Sequence, residues 1–74
     1  MTLADLREGM AAEITAVDPF HEGVVRLMVL GLVEGSRVSF RNAAIGGDPL
    51  EIDVMGASIS VRLEQARHFR IAVN

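Results

Sequence analysis

Residues 50–62 read Leu50-Glu51-Ile52-Asp53-Val54-Met55-Gly56-Ala57-Ser58-Ile59-Ser60-Val61-Arg62. Leu50, Ile52 and Val54 alternate with Glu51 and Asp53, and beyond Gly56 the pair Ile59 and Val61 alternates with Ser58 and Ser60. A strand sends successive side chains to opposite faces, so this period of two predicts a hairpin with one dry and one wet face. Upstream, Gly46-Gly47-Asp48-Pro49 is a turn signal,. Before it, Arg37 to Ala43 sets Val38 and Phe40 against Arg37, Ser39 and Arg41. Downstream, Leu63 to His68 predicts a single helical turn, and Phe69, Ile71 and Val73 predict a last strand,.

The first half of the chain adds one more strand and a helix. Thr2 and Asp5 form a weak capping box, Leu3 and Leu6 share a face, and Gly9 ends that turn,. From Met10 to Asp18, Ala12, Ile14 and Ala16 alternate with Glu13 and Thr15, and Asp18-Pro19 closes the strand,. Glu22 to Leu30 is the helix, with Val24, Leu27 and Met28 at helical spacing and Leu30 flanking that stripe,. Gly31 suits the left-handed residue past a helix end, Leu32 the apolar contact of a Schellman cap, and Glu34-Gly35 a tight turn,. Five short strands and one helix bury both sheet faces only if the sheet curls on itself, which also reduces exposed edges. The fold class is therefore mainly β, a small five-stranded SH3-like barrel spanning residues 1–74, with one short helix after the first strand. An OB-like barrel is the nearest competitor, but its helix falls between strands three and four, where this sequence has hairpins.

At 74 residues and 50% hydrophobic content, the chain forms one compact domain rather than a disordered segment,. Cysteine is absent, which excludes disulfides and thiolate metal sites,. Seven Arg, no Lys and ten acids give net charge −3, a poor balance for neutralising phosphates,. No apolar run approaches the ~20 residues of a membrane span, and the first eight residues lack the pattern of a signal peptide,. The expectation is a cytoplasmic protein with no direct membrane insertion.

Catalytic chemistry finds no footing, since no base stands beside a nucleophile and the glycine pair at 46–47 opens no helix,. No catalytic residue, cofactor or enzyme activity is expected. Asp18, His21 and Glu22 cluster at the helix entrance and could hold a divalent cation weakly,. Equally, Asp18 and Glu22 serve as solvated acids at the positive end of the helix, with His21 an exposed loop residue. The second reading is preferred, so no metal site is assigned. His68 shows no partner. Arg37 and Arg41 share one strand face and Arg62, Arg67 and Arg70 cluster late, but Tyr and Trp are absent and Phe40 and Phe69 take the inward register. Without stacking aromatics these arginines are solvated partners of the acids, not a nucleic-acid surface.

The helix carries apolar residues beyond its core stripe. Val25 and Val29 lie opposite Val24 and Leu27, with Arg26 beside them. They are either ordinary exposed valines or a partner-facing ridge of Val25, Arg26, Met28 and Val29, in which Met28 is the adaptable contact. Such a ridge would serve a second copy of the chain as well as a different partner.

From this helix the sequence resembles the ferrous iron transport protein A (FeoA) family. Its Arg-Arg-Leu-x-x-Leu-Gly-Leu-x-Pro-Gly pattern is similar to the stretch from Val25 to Gly35. Gly47-Asp48-Pro49, the Val61-Arg62-Leu63-Glu64-Gln65-Ala66 stretch and the opening Leu3, Leu6 and Gly9 also fit. Val25, Glu34 and Val61 depart from the family's Arg, Pro and Leu. The resemblance implies an SH3-like accessory protein of ferrous iron uptake that binds the membrane iron transporter B and its cytoplasmic GTP-binding domain. A stand-alone regulatory domain, related to the C-terminal domain of metal-dependent repressors, and an RNA-binding small barrel are the alternatives. The former would act through another protein, because the chain has no room for a helix-turn-helix.

Overall fold

The alternation of residues 50–62 is realised as a β-hairpin within one antiparallel sheet. A computed structural model describes residues 1–73. In chain order it contains a 3₁₀ turn at Leu3–Asp5, β1 (Ala11–Val17), α1 (Glu22–Val29), β2 (Arg37–Ala43), β3 (Leu50–Val54), β4 (Ala57–Val61), α2 (Leu63–Ala66) and β5 (Phe69–Val73). The strands lie in the order β4-β3-β2-β1-β5. The mainly β fold, with its helix in the β1–β2 connection, is the one predicted, and α2 is the expected single turn between the last two strands.

The β3–β4 turn shows why the register is secure. Val54 pairs with Ala57 across a two-residue connection, and Met55 and Gly56 both have positive φ, at 53° and 86°. That is the primed turn whose twist matches the strands it joins. Leu50, Ile52 and Val54 then face the core opposite Val61, Ile59 and Ala57. Leu3, Leu6, Ile14, Val24, Leu27, Val38, Phe69 and Ile71, with Ala12, Leu32 and Ala66, complete the buried cluster, drawn from both ends of the sheet and from the helix. A flat sheet could not gather them.

Two bulges bend the sheet. Register shifts in β1 between Ile14 and Ala16, and in β2 between Phe40 and Asn42. An extra residue reverses the alternation beyond it. Ala16, expected inside with Ala12 and Ile14, is consequently exposed. Phe40, also expected inside, is half-buried against the core.

Among the described residues no ladder pair joins β4 to β5; short segments gather there instead. The Leu63 N–H at the start of α2 donates to Asp48 Oδ1 at 3.1 Å. Met1 and Thr2 lie along β5, with the Ile71 N–H donating to the Met1 carbonyl at 3.1 Å and Thr2 bridging Arg70. This covers an edge that would otherwise offer unpaired backbone groups. Thr2 is itself fixed, its N–H donating to Asp5 Oδ2 at 2.9 Å.

Candidate partner-binding surface

Helix α1 sits in the β1–β2 connection and is held at both ends. Val24 and Leu27 are buried, so its inner stripe docks on the barrel and fixes which residues face out. At the C-terminal end, the Leu32 N–H donates to the Leu27 carbonyl at 3.1 Å and the Gly31 N–H to the Met28 carbonyl at 3.0 Å. This is a Schellman cap. Gly31 takes the positive φ it needs, 117°, and Leu32 and Leu27 are both buried. At the N-terminal end Gly23 packs against the Gln65 side chain of α2, whose amide occupies the position a Cβ would take.

The outer face carries the apolar ridge. Val25 is 50% exposed and Val29 81%, with Arg26 between them also exposed. No ion pair engages Arg26 among the described residues. Met28 is half-buried and packs against the core, at the foot of the ridge rather than on its crest. Leu30 extends the surface instead, at 57% exposure, followed by Val33. At about 100° per residue, Leu30 falls about 240° round from Val24 and about 60° beyond Leu27, at the margin of the buried stripe, where exposure depends on what covers the helix end. The helix ends at Val29, leaving Leu30 as the capping residue.

Asp18, His21 and Glu22 do not converge. Among the described residues no three His, Cys, Asp or Glu side chains are grouped to hold a metal ion. Asp18 turns to His68, with Oδ2 3.4 Å from Nδ1. Its Oδ1 accepts the Phe20 N–H at 3.2 Å. The His21 ring stacks on that of His68, centroids 4.6 Å apart at 28°. Stacked rings send their nitrogen lone pairs along nearly parallel planes, so the two do not aim at a common ion. Glu22 begins α1 and is exposed. His68, partnerless in the sequence reading, is the residue on which the loop before α1 rests. Its partners lie about 50 positions earlier, beyond any local pattern.

The late arginines stay exposed, as do Arg37 and Arg41. Arg41 lies 3.7 Å from Asp53 in a solvated pair. Phe69 is buried. Phe20, which carries no periodic signal in its loop, is 94% exposed.

The comparisons with known proteins agree with this architecture. The FeoA domain family model matches residues 1–73. The solution structure of the FeoA protein from Chlorobium tepidum is similar over 99% of this chain and 70% of its own length, at 33% identity and TM-score 0.88. Iron(II) transport protein A from Clostridium thermocellum gives 26% identity and TM-score 0.90, over 99% of this chain and 45% of that one. The zinc-complexed FeoA of Stenotrophomonas maltophilia, a prokaryotic SH3 domain protein, gives 28% identity and TM-score 0.80, over 97% and 89% of the two chains. No curated protein matches the sequence. No helix among the described residues is long and apolar enough to cross a membrane. With its whole described length matched and a relative one-third identical, the chain belongs to the FeoA family.

Proposed function

We propose that the protein is a cytoplasmic, non-enzymatic accessory of ferrous iron uptake that binds the membrane iron transporter B at its GTP-binding domain. One observation supports this reading most: a helix anchored at both ends presents Val25, Val29 and Leu30 to solvent around Arg26. Apolar side chains on a fixed helix lose little freedom on docking, and an arginine among them adds a directional contact. The family's association with ferrous iron transport supports a transporter as the partner, and the ridge is the surface proposed to meet it.

The test is a calorimetric titration of the full chain against the transporter's isolated cytoplasmic domain, with and without guanine nucleotide. Saturable binding is expected, and its loss in a Val25→Asp, Val29→Asp double variant that keeps the parent's circular dichroism. Both side chains are exposed, so the fold should tolerate the change. Undiminished binding by that variant would refute the ridge, and no binding by the parent would refute the partner. Sedimentation of the free protein, run first, separates docking from self-association.

A further inference from the structure

A second surface lies where β1 ends and β5 begins. The loop between β1 and α1 is pinned on both sides of Phe20. Before it, the Asp18 N–H donates to the His68 carbonyl at 2.9 Å, and the Asp18 carboxylate meets the His68 ring. After it, the His21 ring stacks on His68. Between these anchors Phe20 stands almost wholly in water. An exposed aromatic on a held loop is suited to recognition, because immobilising it on docking costs little.

The same region concentrates positive charge. The β1 bulge turns Ala16 outward, and a depression of about 310 Å³ is lined by Ala16, Val17, Asp18, Arg67, His68 and Arg70. Among the described residues neither Arg67 nor Arg70 has a carboxylate partner, whereas Asp18 is directed to His68. Residues 62–73 hold three Arg against one Glu, net +2, while the rest of the chain holds four Arg against nine acids, net −5. The depression, lined by two arginines without carboxylate partners and by one aspartate directed to His68, therefore favours an anion.

We propose that this surface is a docking site, separate from the α1 ridge and not dependent on the reading given to it, for an acidic peptide segment of another protein. Carboxylates of that segment pair with Arg67 and Arg70, and a neighbouring apolar side chain covers Phe20. A single-stranded nucleic acid would use similar groups. It needs a run of stacking aromatics along a basic groove, and one exposed phenylalanine on a chain of net charge −3 does not provide that.

The experiment is a series of ¹H–¹⁵N correlation spectra of the full chain titrated with a capped glutamate–leucine octapeptide, at low salt and again with salt added. Shifts should cluster at Phe20, His68 and Arg70 and shrink as salt screens the charges. Arg67→Gln, Arg70→Gln should weaken binding about tenfold, the loss of two surface charge contacts, and Phe20→Ala should weaken it as well. The Val25→Asp, Val29→Asp variant should bind the peptide as the parent does, so failure here is distinct from failure of the ridge. The proposal is overturned by an absence of shifts at this surface. It is also overturned by equal shifts with a lysine–leucine peptide, by unchanged affinity in the folded arginine variant, or by tighter binding of oligo-dT at the same residues.

Discussion

Gly31→Ala should destabilise the protein through the backbone alone. A Cβ built at Gly31 meets only Val54 Cγ1, at 3.8 Å, an ordinary contact. The cost therefore arises from φ 117°, a conformation an L-alanine avoids, and amounts to about 1–2 kcal/mol. A 74-residue domain has roughly 4–11 kcal/mol of stability,, so the variant stays folded and measurable. With a urea dependence of about 1 kcal/mol per M for a small chain, the midpoint should fall by about 1–2 M. Tm should fall by about 4–8 °C per kcal/mol. Far-ultraviolet circular dichroism is the appropriate signal, since the chain has no Trp or Tyr for fluorescence. Weakening the cap also frays the turn that holds Val29 and Leu30, so, if the proposed contact with the transporter domain holds, that affinity should drop with stability. A midpoint within 0.3 M of the parent (~0.3 kcal/mol at that slope) would show that the Schellman geometry is not what ends α1.

Leu27→Ala, at a position 5% exposed on the inner stripe, should cost about 2–5 kcal/mol by thermal or urea unfolding. Asp48→Ala removes the acceptor for the Leu63 N–H and should cost about 1 kcal/mol, with Asp48→Asn recovering part of it. Met55→Asn should add about 0.5 kcal/mol, because asparagine tolerates the positive φ of the primed turn and Met55 is 89% exposed with little packing to lose. His68→Ala removes the support of the Asp18–His21 loop, and chymotrypsin cleavage after Phe20 should accelerate about fivefold, as expected for about 1 kcal/mol of lost local stability.

Strands whose apolar residues alternate without interruption were legible: β3 follows the period-two pattern from end to end, and β4 follows it from Ser58 to Val61. So was the helix cap, where Gly31 and Leu32 stand in sequence next to the turn they close. The errors fall where position depends on a partner strand. Ala16 has the composition of an inward residue, and only the mismatch between β1 and β5 turns it out. Leu30 flanks the core stripe by its angle, but it lies past the end of α1 as the capping residue, and among the described residues no other element covers it. The grouping of Asp18, His21 and Glu22, to which no metal was assigned, rested on adjacency along the chain. The fold gives two of them to His68 instead, a pairing made by the return of β5 to β1. Phe20 had no pattern to announce it, since a loop residue between anchors has no period.

The stitching of β5 by Met1 and Thr2 has a consequence for how the molecule is made. Residues at opposite ends of the sequence, Met1 with Ile71 and Thr2 with Arg70, are neighbours in the finished sheet. β1 likewise waits for β5. During translation the first strand therefore emerges long before its neighbour exists, and the native ladder can close only once residue 71 has left the ribosome. Such long-range pairing slows folding relative to a chain of local contacts. The same proximity means that Met1 and the end of β5 could be joined by a short linker and the chain reopened at Gly46-Gly47. That rearrangement would make the β1–β5 pairing local and leave β2 and β3, a hairpin in the present chain, to meet from far apart, so the permutant would reach the same barrel by a different order of pairing,.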